Sequence, residues 1–247
     1  MPDIAELLDG YANLSEEEIF AFINNDKHRL NAGVKFALQE LSRELRVQRD
    51  HQASVENARR YVGKSHLKLN LGCGREYRGG WVNIDLRSDT DLQLDVREQL
   101  PFEDGSVAIV YSEHFFEHLE FPREATRLLK ESFRVLEPGG KFSVGVPDAE
   151  EILVQYAQGQ LPALMQEWAK DDNLQWVDPW IWETPMHAVN FVFRQDNEHK
   201  YSYDAETLIR VLEQAGFVGV ARRDFQPDLD SEHRQDGTLY VDAFKPV

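Results

Sequence analysis

The chain has 247 residues, a hydrophobic content of 42% and 29% charged residues, so extensive disorder is excluded and one large domain with a modest extension is expected. Its formal net charge of −17 disfavours a nucleic-acid partner, because binding to a phosphate backbone depends on lysine and arginine side chains. It shows neither a secretory leader pattern nor a run of roughly 18 apolar residues that could span a membrane, and its single cysteine, Cys73, excludes an internal disulfide, so a cytoplasmic protein is expected.

Residues 1–63 predict helices and no strand. The segment Ser15–Glu18 has the spacing of a capping box. A longer helix, from about residue 32 to about residue 61, is predicted by the spacing of four apolar residues, Val34, Leu38, Leu41 and Leu45. We expect this helical extension to cover one flank of the core, with two functional alternatives: a lid over a ligand site, or an arm that forms a homodimer.

Residues 64–247 predict an α/β domain in which strands alternate with helices. The predicted strands are residues 67–71, 81–85, 107–111, 141–146, 217–220 and 238–244, and the main predicted helices are residues 123–136 and 204–215. This alternation predicts a doubly wound, mainly parallel sheet. The last two strands have no helix between them, so we expect them to pair antiparallel at an edge. Residues 150–193 look irregular and form an insertion on the substrate side.

The turn after the first strand and the acidic end of the second predict a nucleoside pocket. Gly72 and Gly74 allow the backbone to turn sharply and to approach a ligand closely. Asp85 ends the next strand, where its carboxylate can accept the hydroxyl hydrogens of a ribose, and Asp95 follows a further short strand at the same rim, with Asp91 as an alternative. A dinucleotide fold would need a third glycine where this chain has Tyr77, which counts against a nicotinamide-dependent oxidoreductase.

Five motifs in this order resemble the class I S-adenosylmethionine-dependent methyltransferases of the type 11 group. They are Leu69–Gly74, Asn83–Asp85, Leu100–Ser106, Tyr111–Leu119 and Arg134–Gly140. The resemblance is close over residues 67–147 and resumes at residues 199–217 and in the closing strand. Within the group, the chain is similar to bacterial members associated with polysaccharide and glycan biosynthesis.

This resemblance implies a seven-stranded Rossmann-like methyltransferase fold, S-adenosylmethionine as the cofactor, and a set of binding residues. Leu71, Gly72 and Gly74 would lie along the methionine and ribose part of the cofactor. The resemblance further assigns Asp85 to the ribose hydroxyls, Asp95 with Val96 to the adenine, and Ser112 with Glu113 to the sulfonium end.

Transfer to a hydroxyl acceptor also calls for a base, and histidine is the usual one at neutral pH. His114 is the first candidate, because it follows the fourth strand at the rim, and His187 is the second. We expect His118 to be structural and His199, beside Lys200, to help to hold an anionic substrate group. The spacing of histidines and carboxylates along the chain predicts no metal site.

The acceptor is expected to be chosen by the insertion, which holds four of the five tryptophans, Trp168, Trp176, Trp180 and Trp182. These rings could stack on a sugar or fill a small local core. The sequence therefore predicts methyl transfer, with a hydroxyl of a sugar, a glycan precursor or another small metabolite as the acceptor. The alternative is a catalytically silent methyltransferase-like module that serves as a binding partner.

Overall fold

The computed structural model describes residues 10, 13–14, 16–25, 30–170 and 177–247. Two helices come first, α1 (Glu16–Ile23) and α2 (Ala32–Asn57), and a short 3-10 turn, Ala58–Tyr61, follows. Helix α2 begins where Asn31 accepts a hydrogen bond from the backbone N–H of Val34 at 2.9 Å, as an N-cap residue does. The hydroxyl of the expected capping box belongs to Ser15, which lies outside the described residues.

Seven strands form one sheet in the order β3-β2-β1-β4-β5-β7-β6. Their bounds are β1 Leu67–Leu71, β2 Val82–Asp85, β3 Leu92–Gln93, β4 Val107–Glu113, β5 Leu136–Pro147, β6 Val218–Arg223 and β7 Thr238–Phe244. Strands β1 to β5 are mutually parallel, whereas β7 runs antiparallel to both β5 and β6. The predicted doubly wound sheet and its antiparallel edge pair are confirmed.

Helices cover the sheet on both of its faces, so its central strands are apolar along most of their length. Leu69, Leu71, Val110, Phe142 and Val144 are fully buried. Among the helices of this domain, α3 (Arg123–Val135) and α7 (Ala205–Gln214) bury apolar stripes that include Leu128, Leu129, Leu208 and Leu212. The carboxyl ends of the parallel strands β1 to β5 thus lie together at one edge of a rigid sheet, and the polar loops that follow them lie there too.

The insertion is helical, which corrects the expectation of an irregular segment. It contains α4 (Ala149–Ala157), α5 (Leu161–Trp168), a 3-10 turn (Pro179–Trp182) and α6 (Pro185–Arg194). These elements enclose a second small core, made by Ile152, Leu161, Met165, Ala188 and Val189. Its helices are short, and two of them carry proline in the first turn, where proline is tolerated.

Helix α2 lies along the β3 edge of the sheet and reaches the loop beyond it. The Ser54 hydroxyl accepts a hydrogen bond from the backbone N–H of Gln93 at 3.0 Å. His51 Nδ1 accepts one from the backbone N–H of Asp95 at 3.2 Å. Helix α2 therefore covers the β3 flank of the sheet, while the functions of the extension as a lid or as a homodimer arm stay predictions. None of the described helices combines the length and the hydropathy needed to cross a bilayer.

Candidate functional site

The Gly72–Gly74 turn lies beyond the carboxyl end of β1, and Asp85 fixes its conformation. Both glycines have left-handed backbones, with φ of 61° and 52°. The Asp85 carboxylate accepts the backbone N–H of Gly74 at 2.8 Å and that of Arg87 at 3.1 Å. Two carboxylate lone pairs are thereby used, and the remaining ones of this half-buried group are available to a ligand hydroxyl.

Asp95 is held at the neighbouring rim by a charged group that includes helix α2. Arg97 Nη2 lies 2.9 Å from Asp95 Oδ2 and 2.7 Å from Glu44 Oε2, so the guanidinium bridges the loop and the helix. Val96 beside it is buried. Asp91, the alternative to Asp95, accepts two hydrogen bonds from Asn83 and so ties β2 to the loop before β3.

Ser112 and Glu113 end β4 but differ in where their side chains lie. Ser112 pairs in register with Leu71 across β1 and β4, and its buried hydroxyl has no partner among the described residues. Glu113 instead accepts hydrogen bonds from Ser231 N at 3.1 Å and from the Tyr240 hydroxyl at 3.0 Å. Because Glu113 is occupied by the C-terminal segment, the geometry does not favour its expected contact with the sulfonium end of the cofactor.

A cavity of about 350 Å³ lies at the same edge of the sheet, beyond β4 and β5. Its polar lining consists of His114, Glu117, His118, Asp148, Glu151, Gln195, His199, His233, Arg234 and Asp236, and its apolar lining includes Ile152, Leu164, Trp168 and Phe191. The Phe115 ring stacks on the His118 ring with centroids 6.5 Å apart. Phe115 also covers Gly72, since a Cβ placed on that glycine would lie 2.1 Å from the ring. The Phe115–His118 pair therefore connects the glycine turn to the cavity.

His114 lines the cavity. A general base for an acceptor bound in the cavity would have to lie there. Its backbone is left-handed, with φ of 51°. Nε2 is 2.8 Å from the Thr238 hydroxyl, and Nδ1 is 3.8 Å from Glu117 Oε1. Burial, assisted by the charge of Arg234, holds the pKa of His114 well below 6.5, so the ring is neutral at pH 7.

Glu117, His118 and His199 form a group in the cavity lining, in which Glu117 is buried and His118 is half-buried. The Glu117 side chain is 2% exposed, and burial raises its pKa to about 8. Burial lowers the pKa of His118 to about 4, and it lowers the pKa of His199 as well. The His118 and His199 rings meet edge to face with centroids 4.9 Å apart. Each group thus prefers its neutral form in the protein alone.

His187 lies in the first turn of α6 and is not among the residues that line the cavity. Its Nδ1 is 3.1 Å from the Trp180 carbonyl oxygen, and its ring packs edge to face on the Trp180 ring. These contacts fix the turn before α6 and do not favour His187 as the base. The structure separates the two base candidates by position.

The tryptophans divide between the local core and the cavity. Trp168 packs on Trp182 with ring centroids 5.9 Å apart, and Trp182 packs on Phe191. Trp168 also lines the cavity, whereas Trp180 is 47% exposed. Trp176 lies outside the described residues. The rings thus build the second core, and Trp168 offers one edge of it to a ligand.

Sequence reasoning missed several residues that line the cavity, among them Glu117, Asp148 and Arg234. The available signal for Glu117 was its position three residues after His114, a spacing that can place two side chains on the same side of a helical turn. Arg234 lies in a polar C-terminal loop where the sequence carries no local signal. Its Nη1 donates to the Glu113 carbonyl at 2.9 Å, which brings the loop to the end of β4.

Comparisons with known proteins agree with this architecture. Residues 69–144, which run from β1 into β5, match a family described as a methyltransferase domain. A curated relative, an uncharacterized 37.1 kDa protein in transposon TN4556 of Streptomyces fradiae, is 33% identical over 66 residues, and the match covers 27% of this chain and 18% of that protein.

Two solved structures similar to this chain are S-adenosylmethionine-dependent methyltransferases. The one from Methanosarcina mazei has a TM-score of 0.47 and 17% identity, with 76% of this chain and 96% of that chain covered. The one from Archaeoglobus fulgidus has a TM-score of 0.45 and 17% identity, with 79% of this chain and 94% of that chain covered. The family match thus identifies residues 69–144 as similar to a methyltransferase domain, within a sheet of the order β3-β2-β1-β4-β5-β7-β6.

Proposed function

We propose that this protein transfers the methyl group of S-adenosylmethionine to a hydroxyl of a small polar acceptor, such as a sugar or a glycan precursor. The observation that carries the proposal is the position of the cavity, which meets the Gly72–Gly74 turn through the stacked Phe115–His118 pair. Cofactor and acceptor would then meet beside this pair, where the turn and the cavity adjoin.

The cofactor side has the groups that a nucleoside requires. A Cβ at Gly74 would meet no other heavy atom within 4 Å, so the turn faces open space. Asp85 offers carboxylate lone pairs to the ribose, Asp95 lies at the adenine rim beside Val96, and Leu71 with Ser112 forms the floor between β1 and β4. When bound, the cofactor supplies an electrophilic methyl group on a sulfonium.

The acceptor side favours a neutral polyol. Glu151 and Asp236 line the cavity and can accept hydrogen bonds from hydroxyl groups, whereas they repel an anion. Burial, together with the charges of Asp148 and Asp236, raises the pKa of Glu151. Trp168 supplies an apolar ring surface on which a sugar face can pack.

The reaction is a displacement in which the residues mainly position the acceptor. The acceptor oxygen forms a bond to the methyl carbon, the carbon–sulfur bond breaks, and its electron pair stays on sulfur as a neutral thioether. The hydroxyl proton leaves to a base, for which His114 is the better placed of the two predicted histidines. Alignment of the reactants can supply about 7–11 kcal/mol, and a general base about 10²–10⁴-fold in rate.

Calorimetric titration with S-adenosylhomocysteine tests the proposal, with NADH as a negative control. We expect micromolar binding that Asp85→Ala weakens about tenfold or more, because a hydrogen bond to a charged group is worth about 1.5–3 kcal/mol. Asp89→Ala is the matched control, since Asp89 pairs with Arg87 on the exposed side of the same loop. Absence of binding by folded protein would leave the silent binding module as the better account.

A further inference from the structure

The group formed by Glu117, His118 and His199 has the arrangement of a metal site. One potential ligand atom from each residue can be chosen so that all three lie within 4.8 Å of one another. Glu117 and His118 belong to the 3-10 turn Phe116–His118 after β4, and His199 comes from the segment after α6. The expectation of no metal site rested on spacing along the chain, and the fold joins residues that are far apart in sequence.

Neither carboxylate oxygen of Glu117 has a hydrogen-bond partner among the described residues, although the side chain is 2% exposed. Burying a carboxylate without a counter-charge or hydrogen bonds is strongly unfavourable. His199 Nε2 lies 3.9 Å from Glu117 Oε1, outside hydrogen-bonding distance. The oxygens therefore face a gap that a cation could fill while contacting the carboxylate and both rings.

A hydrogen bond to the backbone leaves the other ring nitrogen of His199 free on the side of Glu117. His199 Nδ1 donates to the Val192 carbonyl oxygen at 2.6 Å, which leaves Nε2 as the ring nitrogen with a lone pair. Histidines that bind metals usually donate their other N–H in this way, to a carbonyl or a carboxylate.

The backbone fixes the distance between the two ligand segments. The Glu117 carbonyl oxygen accepts the N–H of Lys200 at 2.8 Å and that of Tyr201 at 3.2 Å. The turn that carries Glu117 and His118 is thus attached to the residues directly after His199. A rigid attachment of this kind keeps the three side chains together before any ligand binds.

We propose that Glu117, His118 and His199 bind a divalent transition metal ion at the floor of the cavity. Two imidazoles and one carboxylate suit Zn²⁺, Fe²⁺ or Mn²⁺ better than Ca²⁺, which prefers oxygen ligands alone. Three protein ligands leave open positions toward the cavity. If the proposed methyl transfer holds, the metal orients the acceptor hydroxyl there and makes its proton easier to remove.

Calorimetric titration of the chelator-stripped full-length protein with ZnCl₂ tests the site. We expect one ion per chain, with affinity lowered at least about tenfold in Glu117→Gln and in His199→Ala. The Gln side chain keeps the shape of Glu117, so the fold should persist. His66→Ala is the matched control, because His66 is exposed and paired with Glu137 away from the cavity, and its affinity should equal that of wild type.

A second measurement does not depend on any variant. The visible absorption of added Co²⁺ should show a site of low coordination number with nitrogen ligands, and one equivalent of Zn²⁺ should displace it. Absence of stoichiometric binding of either ion, or binding that is equal in wild type and Glu117→Gln, would overturn the proposal. S-adenosylhomocysteine titration of the same samples separates the two proposals, since failure there with intact Zn²⁺ binding rejects the methyltransferase function alone.

Discussion

Gly72 and Gly74 share a left-handed backbone but have different surroundings. A side chain at Gly74 would point into open space, whereas a Cβ at Gly72 would lie 2.1–2.4 Å from three atoms of Phe115. The sequence predicted both glycines as turn residues near a ligand. It could not predict that one of them is also a packing contact, because Phe115 reaches Gly72 from a different strand end.

Gly72→Ala should therefore destabilise the protein more than Gly74→Ala. Each substitution forces a non-glycine residue into the left-handed region at about 1–2 kcal/mol, and Gly72→Ala adds about 1–3 kcal/mol for overpacking against Phe115. Urea unfolding followed by circular dichroism measures both free energies of unfolding. Equal losses in the two variants would show that the Phe115 ring moves aside freely.

Site residues at strand ends illustrate what local sequence can and cannot indicate. Asp85 was predicted because a strand pattern stops at it, and the structure places it against the glycine turn. Glu113 also ends a strand, yet its side chain is held by Ser231 and Tyr240 from the C-terminal segment. The direction of a strand-end side chain depends on which distant residues offer it hydrogen bonds.

Among the elements, the two helices with a regular apolar stripe, α3 and α7, were predicted within a few residues, whereas α4, α5 and α6 of the insertion were not. Helices α3 and α7 carry apolar stripes over three turns, so their periodicity is visible in the sequence. Helices α4, α5 and α6 have eight to ten residues each, and their apolar residues pack against one another in the second core. Tertiary packing of this kind leaves no clear period in any single segment.

Helix α7 offers a test of capping with a defined pH dependence. The Asp204 carboxylate accepts the backbone N–H of Thr207 at 2.8 Å, and this hydrogen bond lowers the pKa of Asp204. Asp204→Ala should lower the free energy of unfolding by about 1 kcal/mol at pH 7. Asp204→Asn is the matched control, because asparagine caps helices nearly as well and carries no charge.

The pH dependence follows from the sign of the shift. A carboxyl group whose pKa is lower in the folded state contributes stability above its unfolded pKa of about 3.9, and that contribution is lost as the pH falls through the folded value. The advantage of wild type over Asp204→Asn should therefore be constant from pH 5 to pH 7 and shrink below about pH 4. Thermal unfolding across this range measures it, and an advantage that grows in acid would contradict the assignment.

At the scale of the whole molecule, the sequence predicted the order of the strands along the chain but not the cavity they help to form. The cavity draws its lining from residues 114–118, 147–168, 191–199 and 233–237, so it exists only after four segments meet. His118 and His199 were considered separately in the sequence, and their proximity follows from backbone hydrogen bonds between the turn that carries His118 and the segment after His199. Long-range pairing of this kind is what single-sequence patterns do not contain.

The net charge of −17 leads to a prediction that concerns the entire surface. Several arginines are already committed to carboxylates: Arg97 to Asp95 and Glu44, Arg134 to Glu131, and Arg223 to Asp230. Nucleic-acid binding requires cations that can neutralise phosphates. We expect no saturable binding of duplex DNA or of structured RNA at 50 mM NaCl, measured by fluorescence anisotropy of a labelled oligonucleotide.

The same argument extends to the acceptor once one is identified. At about 10 mM salt the Debye length is about 30 Å and at 150 mM it is about 8 Å, so repulsion between the acidic surface and an anion is strong in the first case and screened in the second. For a neutral acceptor kcat/KM should change by less than about twofold between the two conditions, because electrostatic steering acts on charged ligands. A steady-state rate series in NaCl measures this. A rise in kcat/KM with salt would indicate an anionic acceptor. In the anisotropy experiment, micromolar binding of a nucleic acid that weakens with salt would contradict the prediction that this acidic protein does not bind nucleic acids.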